Sequence, residues 1–270
     1  MKDKVLCIGC SHLSGAYNKT DVVTSNESWA WHLWKLRNNN ESFYTLPSPG
    51  LGIMQYGAIV ETLAQAQQLK QFRYAIIQLT DEPRINWFGG EAQTNYFSTL
   101  SSFVNTDSDF NDGQPLYVKY ANSIVLSNVT RKMYEIHEHK FTTAESKNQW
   151  LDISNALSDS LTSSTFSRTI FSVYFKSLLQ TLIEHGVKPI VFDWWGRTSD
   201  SWESVQHLIN DNVLFYHNLS GSVKQTLEKH NLWQRDEQSL AGHMNSNQNK
   251  IVAEFINNDI NARGLMHDAK

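Results

Sequence analysis

The chain has 270 residues, room for one large α/β domain or a domain carrying a long insertion. Its 40% hydrophobic and 19% charged content is ordinary for a protein with a buried core, and a net charge of −4 gives no basic footprint for nucleic acid. Two cysteines (Cys7 and Cys10) make no disulfide framework, and no segment approaches the roughly 18 apolar residues of a membrane span, so a cytoplasmic protein without membrane contact is expected.

Val5–Cys10 is apolar and ends at Gly9 and a polar turn, which predicts a short buried strand. Ser28–Leu36 suits a helix, capped by Asn26 or Ser28 and ended by Asn38-Asn39-Asn40. Phe43–Leu46 reads as a second strand, closed by Pro47-Ser48-Pro49-Gly50. Apolar residues at Ile59, Leu63, Ala66 and Leu69 keep a helical period over Ile53–Lys70, and Tyr74–Leu79 is a third buried strand.

The stretch 85–165 is irregular and rich in Asn, Asp, Ser and Thr. It reads as an insertion or lid within a single domain, with a helix of its own around Val125–His137. Alternation then resumes, with a helix over Phe166–His185 ended by Gly186, a strand at Lys188–Asp193 and a final helix at Ile251–Ile260. Strands alternating with helices predict an α/β fold of three layers, α/β/α, around a mostly parallel sheet. Chemistry in such sheets gathers at the carboxyl ends of the strands.

Those ends carry Gly9-Cys10-Ser11-His12-Leu13-Ser14-Gly15, Pro49-Gly50-Leu51-Gly52 and Thr80-Asp81-Glu82-Pro83-Arg84, while Gly242-His243-Met244-Asn245 precedes the last helix. A serine hydroxyl is a poor nucleophile until a base within hydrogen-bond reach accepts its proton. A tight turn leaving a strand exposes such a hydroxyl above the sheet, and Gly9 and Gly15 permit that turn. Backbone N–H groups at Ser11 and Gly50 are suited to receive an oxyanion. Nine tryptophans and 12% aromatics exceed what the core requires, consistent either with packing or with an aromatic-lined groove for a sugar.

Block by block, the chain resembles the SGNH (GDSL-type) hydrolase family, whose fold is flavodoxin-like. Gly9, Ser11 and Gly15 match its first block, and Gly50 matches the oxyanion glycine of the second. Gln78-Leu79-Thr80-Asp81 occupies the place of its Gly-x-Asn-Asp, and His243 stands in the last block ahead of the final helix. The resemblance implies a serine esterase with Ser11 as nucleophile, His243 as base, and Ser11, Gly50 and Thr80 at the oxyanion hole. His12, Asp81, Arg84, Trp194 and Trp195 would border the pocket, without metal or organic cofactor.

The departures are Cys10 in place of the first-block Asp, Thr80 in place of Asn, and Leu240 at the position of the triad acid. Asp236, Glu237 and Asp193 are the candidate substitutes. Acyl esters of carbohydrates are the expected substrates, and the alternatives are acyl transfer by the same pair or a non-catalytic binding module. Cys7-Ile8-Gly9-Cys10 has the spacing of a redox motif, but Cys7 falls inside the strand. His137-Glu138-His139 offers two metal ligands with no third at suitable spacing.

Overall fold

A computed structural model describes residues 3–9, 13, 16–17, 23–24, 28–37, 41–47, 52–79, 85–88, 116–117, 123–126, 143–145, 148, 152, 164–193, 207, 214–216 and 246–262. In chain order its first elements are β1 (Asp3–Gly9), β2 (Ala16–Tyr17), β3 (Val23–Thr24), α1 (Trp29–Arg37), β4 (Glu41–Pro47), α2 (Ile53–Gln65) and β5 (Phe72–Leu79). They are followed by β6 (Ile85–Phe88), β7 (Leu116–Tyr117), β8 (Ser123–Leu126), α3 (Ser164–Glu184), β9 (Lys188–Asp193), β10 (Leu214–Tyr216) and α4 (Ser246–Ala262).

Six strands form one sheet in the order β10-β9-β5-β1-β4-β7, and every pairing in it is parallel. Parallel neighbours require crossovers, and the crossing helices cover both faces, so the central strands are apolar on both sides. Leu6 and Ile8 of β1 face one layer with Ala75 and Ile77 of β5, against α2 and α3. Val5 and Cys7 face the other with Ile76, Ile190 and Phe192, against α1 and α4. The expected three-layer α/β/α architecture is present. Without the edge strand β7, the sheet carries its strands as second, first, third, fourth and fifth, the doubly wound order of flavodoxin-like folds.

A register shift between Lys4 and Val5 sets Lys4 opposite Phe72 and Val5 opposite Tyr74, leaving Arg73 as the extra residue. The bulge turns Phe72 to one core and Tyr74 to the other.

Helix ends explain where sequence and structure part. The helix expected over Ile53–Lys70 stops at Gln65, because Gln67 adopts a left-handed φ of 56°. The N–H groups of Gln68 and Gln67 then close back on the carbonyls of Leu63 and Ala64, both at 2.8 Å. Leu69–Gln71 forms a separate 3-10 turn. Gly186 (φ 76°) ends α3 in the same way, with Val187 N–H on the Leu182 carbonyl at 2.9 Å.

The segment after β5 is a long insertion: among the described residues, the next crossover helix of the sheet is α3, which begins at Ser164. The helix expected around Val125–His137 is corrected at its start: Ser123–Leu126 is a strand, paired antiparallel with Ile85–Phe88. Two β-branched residues in Ser-Ile-Val-Leu favour the extended chain, and β6 supplies the ladder. Residues 127–137 of that expectation lie outside the described residues. Among the described residues no helix is long and apolar enough to cross a membrane.

At the amino end of the sheet, Arg37 closes α1 and Glu41 opens β4, and the two form a buried bidentate pair at 2.6 and 2.7 Å. Arg37 Nη1 also donates to Asn257 at 2.9 Å and Asn261 at 3.1 Å on α4. Burial alone would lower the guanidinium; its bonds to Glu41 hold it above its ordinary value. The cluster ties α1, β4 and α4 at one end, and so fixes the direction in which α4 runs.

Candidate active site

At the carboxyl end the ladder between β1 and β5 stops short of its neighbours. Pairing of β1 with β4 continues to Gly9 and Pro47, and that of β5 with β9 to Leu79 and Asp193, whereas that of β1 with β5 ends at Ile8 and Ile77. Here the direction of strand addition reverses, because β4 follows β1 on one side and β5 lies on the other. Such switch points leave a crevice that binds ligands.

The floor of the crevice is built on Gly9 and Gln78. The chain leaves β1 at Gly9 and is back against it at Leu13, which is fully buried. A Cβ at Gly9 would stand 2.9 Å from Leu13 Cβ and 3.2 Å from both Cβ and Oε1 of Gln78, so no larger residue fits. Gln78 is buried, and its Oε1 accepts the indole N–H of Trp29 at 3.0 Å. The Trp29 ring meets Phe192 edge-on, with centroids 5.1 Å apart. From the opposite face, Tyr56 of α2 donates its hydroxyl to the Gln78 carbonyl at 3.0 Å.

Trp29 thereby places the start of α1 at this end of the sheet, and Arg37 places its finish at the other. Helix α4 runs alongside in the same sense. His32, one turn into α1, shares a 3.3 Å hydrogen bond with Ser246 at the first residue of α4, while Arg37 meets Asn257 and Asn261 far along it. The start of α4 is therefore at the carboxyl end of the sheet, on the face that carries α1 and Gln78.

Of the residues given a catalytic, oxyanion or pocket role from sequence, Asp193 alone is described, as the last residue of β9 opposite Leu79. Ser11, His12, Gly50, Thr80, Asp81, Arg84, Trp194, Trp195, Asp236, Glu237 and His243 lie outside the described residues. Described residues flank them in the chain. Gly9 and Leu13, which pack on each other, lie either side of Ser11 and His12, Gly52 caps α2 after Gly50, Leu79 precedes Thr80, and Ser246 follows His243. Position 240 and its candidate substitutes at 236 and 237 have no described neighbour nearer than Ser246.

Sequence reasoning missed Gln78 and Trp29 as a support for the end of β1. The available signal was one polar residue near the end of the apolar run Tyr74–Leu79. The redox reading of Cys7 finds no support: the thiol is fully buried, and desolvation, with Glu41 adding to it, raises it well above its ordinary value. His137-Glu138-His139 lies outside the described residues.

No protein-family profile matches the chain. A search of curated proteins found no significant match. Among solved structures, the fold is similar to the crystal structure of a lipase, Lip_vut3, from a goat rumen metagenome, with a TM-score of 0.44 and 9% identity over 94% of this chain and 96% of that one. A likeness of that degree assigns neither an activity nor a site.

Proposed function

We propose that the chain is an SGNH-type serine esterase. Ser11 Oγ attacks the ester carbonyl carbon while His243 accepts the hydroxyl proton. The tetrahedral oxyanion is received by the N–H groups of Ser11 and Gly50, with Thr80 as a further donor. Collapse expels the alcohol, which takes the proton from His243, and water then releases the acid from acyl-Ser11 by the reverse use of the same base. One of Asp193, Asp236 and Glu237 orients the imidazole in place of the acid that Leu240 displaces. His12, Asp81, Arg84, Trp194 and Trp195 border the pocket, and acylated carbohydrates suit its aromatic share.

The observation that carries this reading is directional. β1 runs into the segment holding Ser11, α4 runs out of the segment holding His243, and both do so at the carboxyl end of the sheet beside the β1/β5 crevice. The ordered motifs and the strand order agree with it. The test is hydrolysis of p-nitrophenyl acetate and of acetylated xylo-oligosaccharides. Ser11→Ala and His243→Ala should each lower kcat/KM by about 10³-fold or more, whereas a Ser11→Ala protein as active as the parent overturns the mechanism. Leu240 in the acid position favours a second reading, a binding module of the same fold. A folded protein inert to both substrates and to fluorophosphonates is its signature.

A further inference from the structure

We infer that Gln78, locked by Trp29, is a positioning residue: it seats the end of β1 at Gly9, two residues before the proposed nucleophile, and the reactivity of Ser11 depends on it. The inference rests on the esterase reading and adds a residue to it. In the resembled family the equivalent place holds glycine. Here a long carboxamide packs against Gly9 at the end of β1, and three contacts define its task.

The first is orientation. An indole N–H only donates, so the 3.0 Å bond from Trp29 fixes the carboxamide oxygen toward α1 and leaves its NH2 group facing elsewhere. The second is seating. Oε1 and Cβ of Gln78 both lie 3.2 Å from where a Gly9 Cβ would stand, so the side chain is the surface against which the strand end rests. Leu13, buried on the same spot, closes the return. The third is anchoring: Tyr56 holds the Gln78 carbonyl from the other side of the sheet at 3.0 Å, just past the point where β1 ceases to pair with β5. With its main chain and its amide both held, Gln78 gives Gly9 and Leu13 a fixed seat. A misplacement of about 1 Å in a nucleophile costs on the order of 10²-fold in rate.

The test is fluorophosphonate inactivation of the full chain, in which Ser11 Oγ bonds to phosphorus, fluoride leaves and His243 takes the hydroxyl proton. Gln78→Leu removes the amide, and Trp29→Phe removes the indole N–H while keeping a ring against Phe192. In each, kinact should fall about 10- to 100-fold with Ki changed less than about twofold. Both are measured well below the melting temperature. The double variant should be no slower than the worse single variant, because one coupled unit is lost only once. It also strands no buried donor, so it reads out the effect if Gln78→Leu does not fold. Wild-type labelling at Ser11 with unchanged kinact in Trp29→Phe and in the double variant overturns the inference while leaving the esterase reading intact. A wild-type protein that is folded and never labelled overturns both.

Discussion

Replacing Glu41 by Gln isolates the worth of the polar cluster at the amino end of the sheet. The pair is nearly sealed from solvent, with side-chain exposures of 1% for each partner. Two short charge-assisted bonds join it, and the remaining guanidinium donor serves Asn257 and Asn261. Glu41→Gln keeps the shape but leaves the Arg37 charge buried without its counter-ion, a change that costs about 3–5 kcal/mol. At roughly 2–4 °C per kcal/mol for a chain of this size, the melting temperature should fall by about 6–20 °C. Replacing both residues by leucine removes the stranded charge, and the double variant should recover most of the loss. Differential scanning calorimetry on Glu41→Gln, on the single variants Arg37→Leu and Glu41→Leu, and on their double decides the matter. A fall under about 2 °C in Glu41→Gln, or a double variant whose loss equals the sum of the two singles, would refute the idea that the pair acts as one buried unit.

Burial, reinforced by Glu41, raises both the Cys7 thiol and the Tyr74 phenol above their ordinary values. Both groups stay protonated in the fold where the unfolded chain ionises. The fold should keep its full stability below about pH 8.5 and lose up to about 1.4 kcal/mol per pH unit for each group above its unfolded value. Urea unfolding between pH 8 and 11 tests this, and Tyr74→Phe should flatten the decline above about pH 10; an identical slope in that variant counts against it. Gly9→Ala forces a Cβ to within 2.9 Å of Leu13 and should cost about 1–3 kcal/mol together with most fluorophosphonate reactivity, read by thermal melts and labelling side by side. Gly186→Ala meets no atom within 4 Å, so its expected cost of about 1–2 kcal/mol is backbone strain alone, and a neutral melt would contradict the φ of 76°.

The strands were legible because each is an apolar run buried on both faces. Val5–Cys10, Phe43–Leu46, Tyr74–Leu79 and Lys188–Asp193 all fall on strands of the parallel sheet, the first three with ends shifted by a residue or more. Helix interiors followed their apolar period, and Gly186 marked one end correctly. Gln67 hid another, since a left-handed residue other than glycine carries no signal. The first turn of α4 was invisible for a related reason. Ser246, Asn247, Gln248 and Asn249 are polar, although Gln248 and Asn249 are buried, so the period became readable only at Ile251. β7 is two residues long and owes its place at the edge to β4, a tertiary fact that no local pattern encodes. The site was legible as a set of strand ends. Its support by Trp29 and Gln78 was not, because a contact across 49 positions leaves no spacing to read.

Intact-mass and peptide mapping of the protein after fluorophosphonate treatment is the most direct trial of the proposed nucleophile. A single phosphonyl adduct on Ser11, absent in Ser11→Ala and slow to form in His243→Ala, is the expected result. An adduct formed readily on another residue, with Ser11 untouched, would contradict the assignment of chemistry to the end of β1.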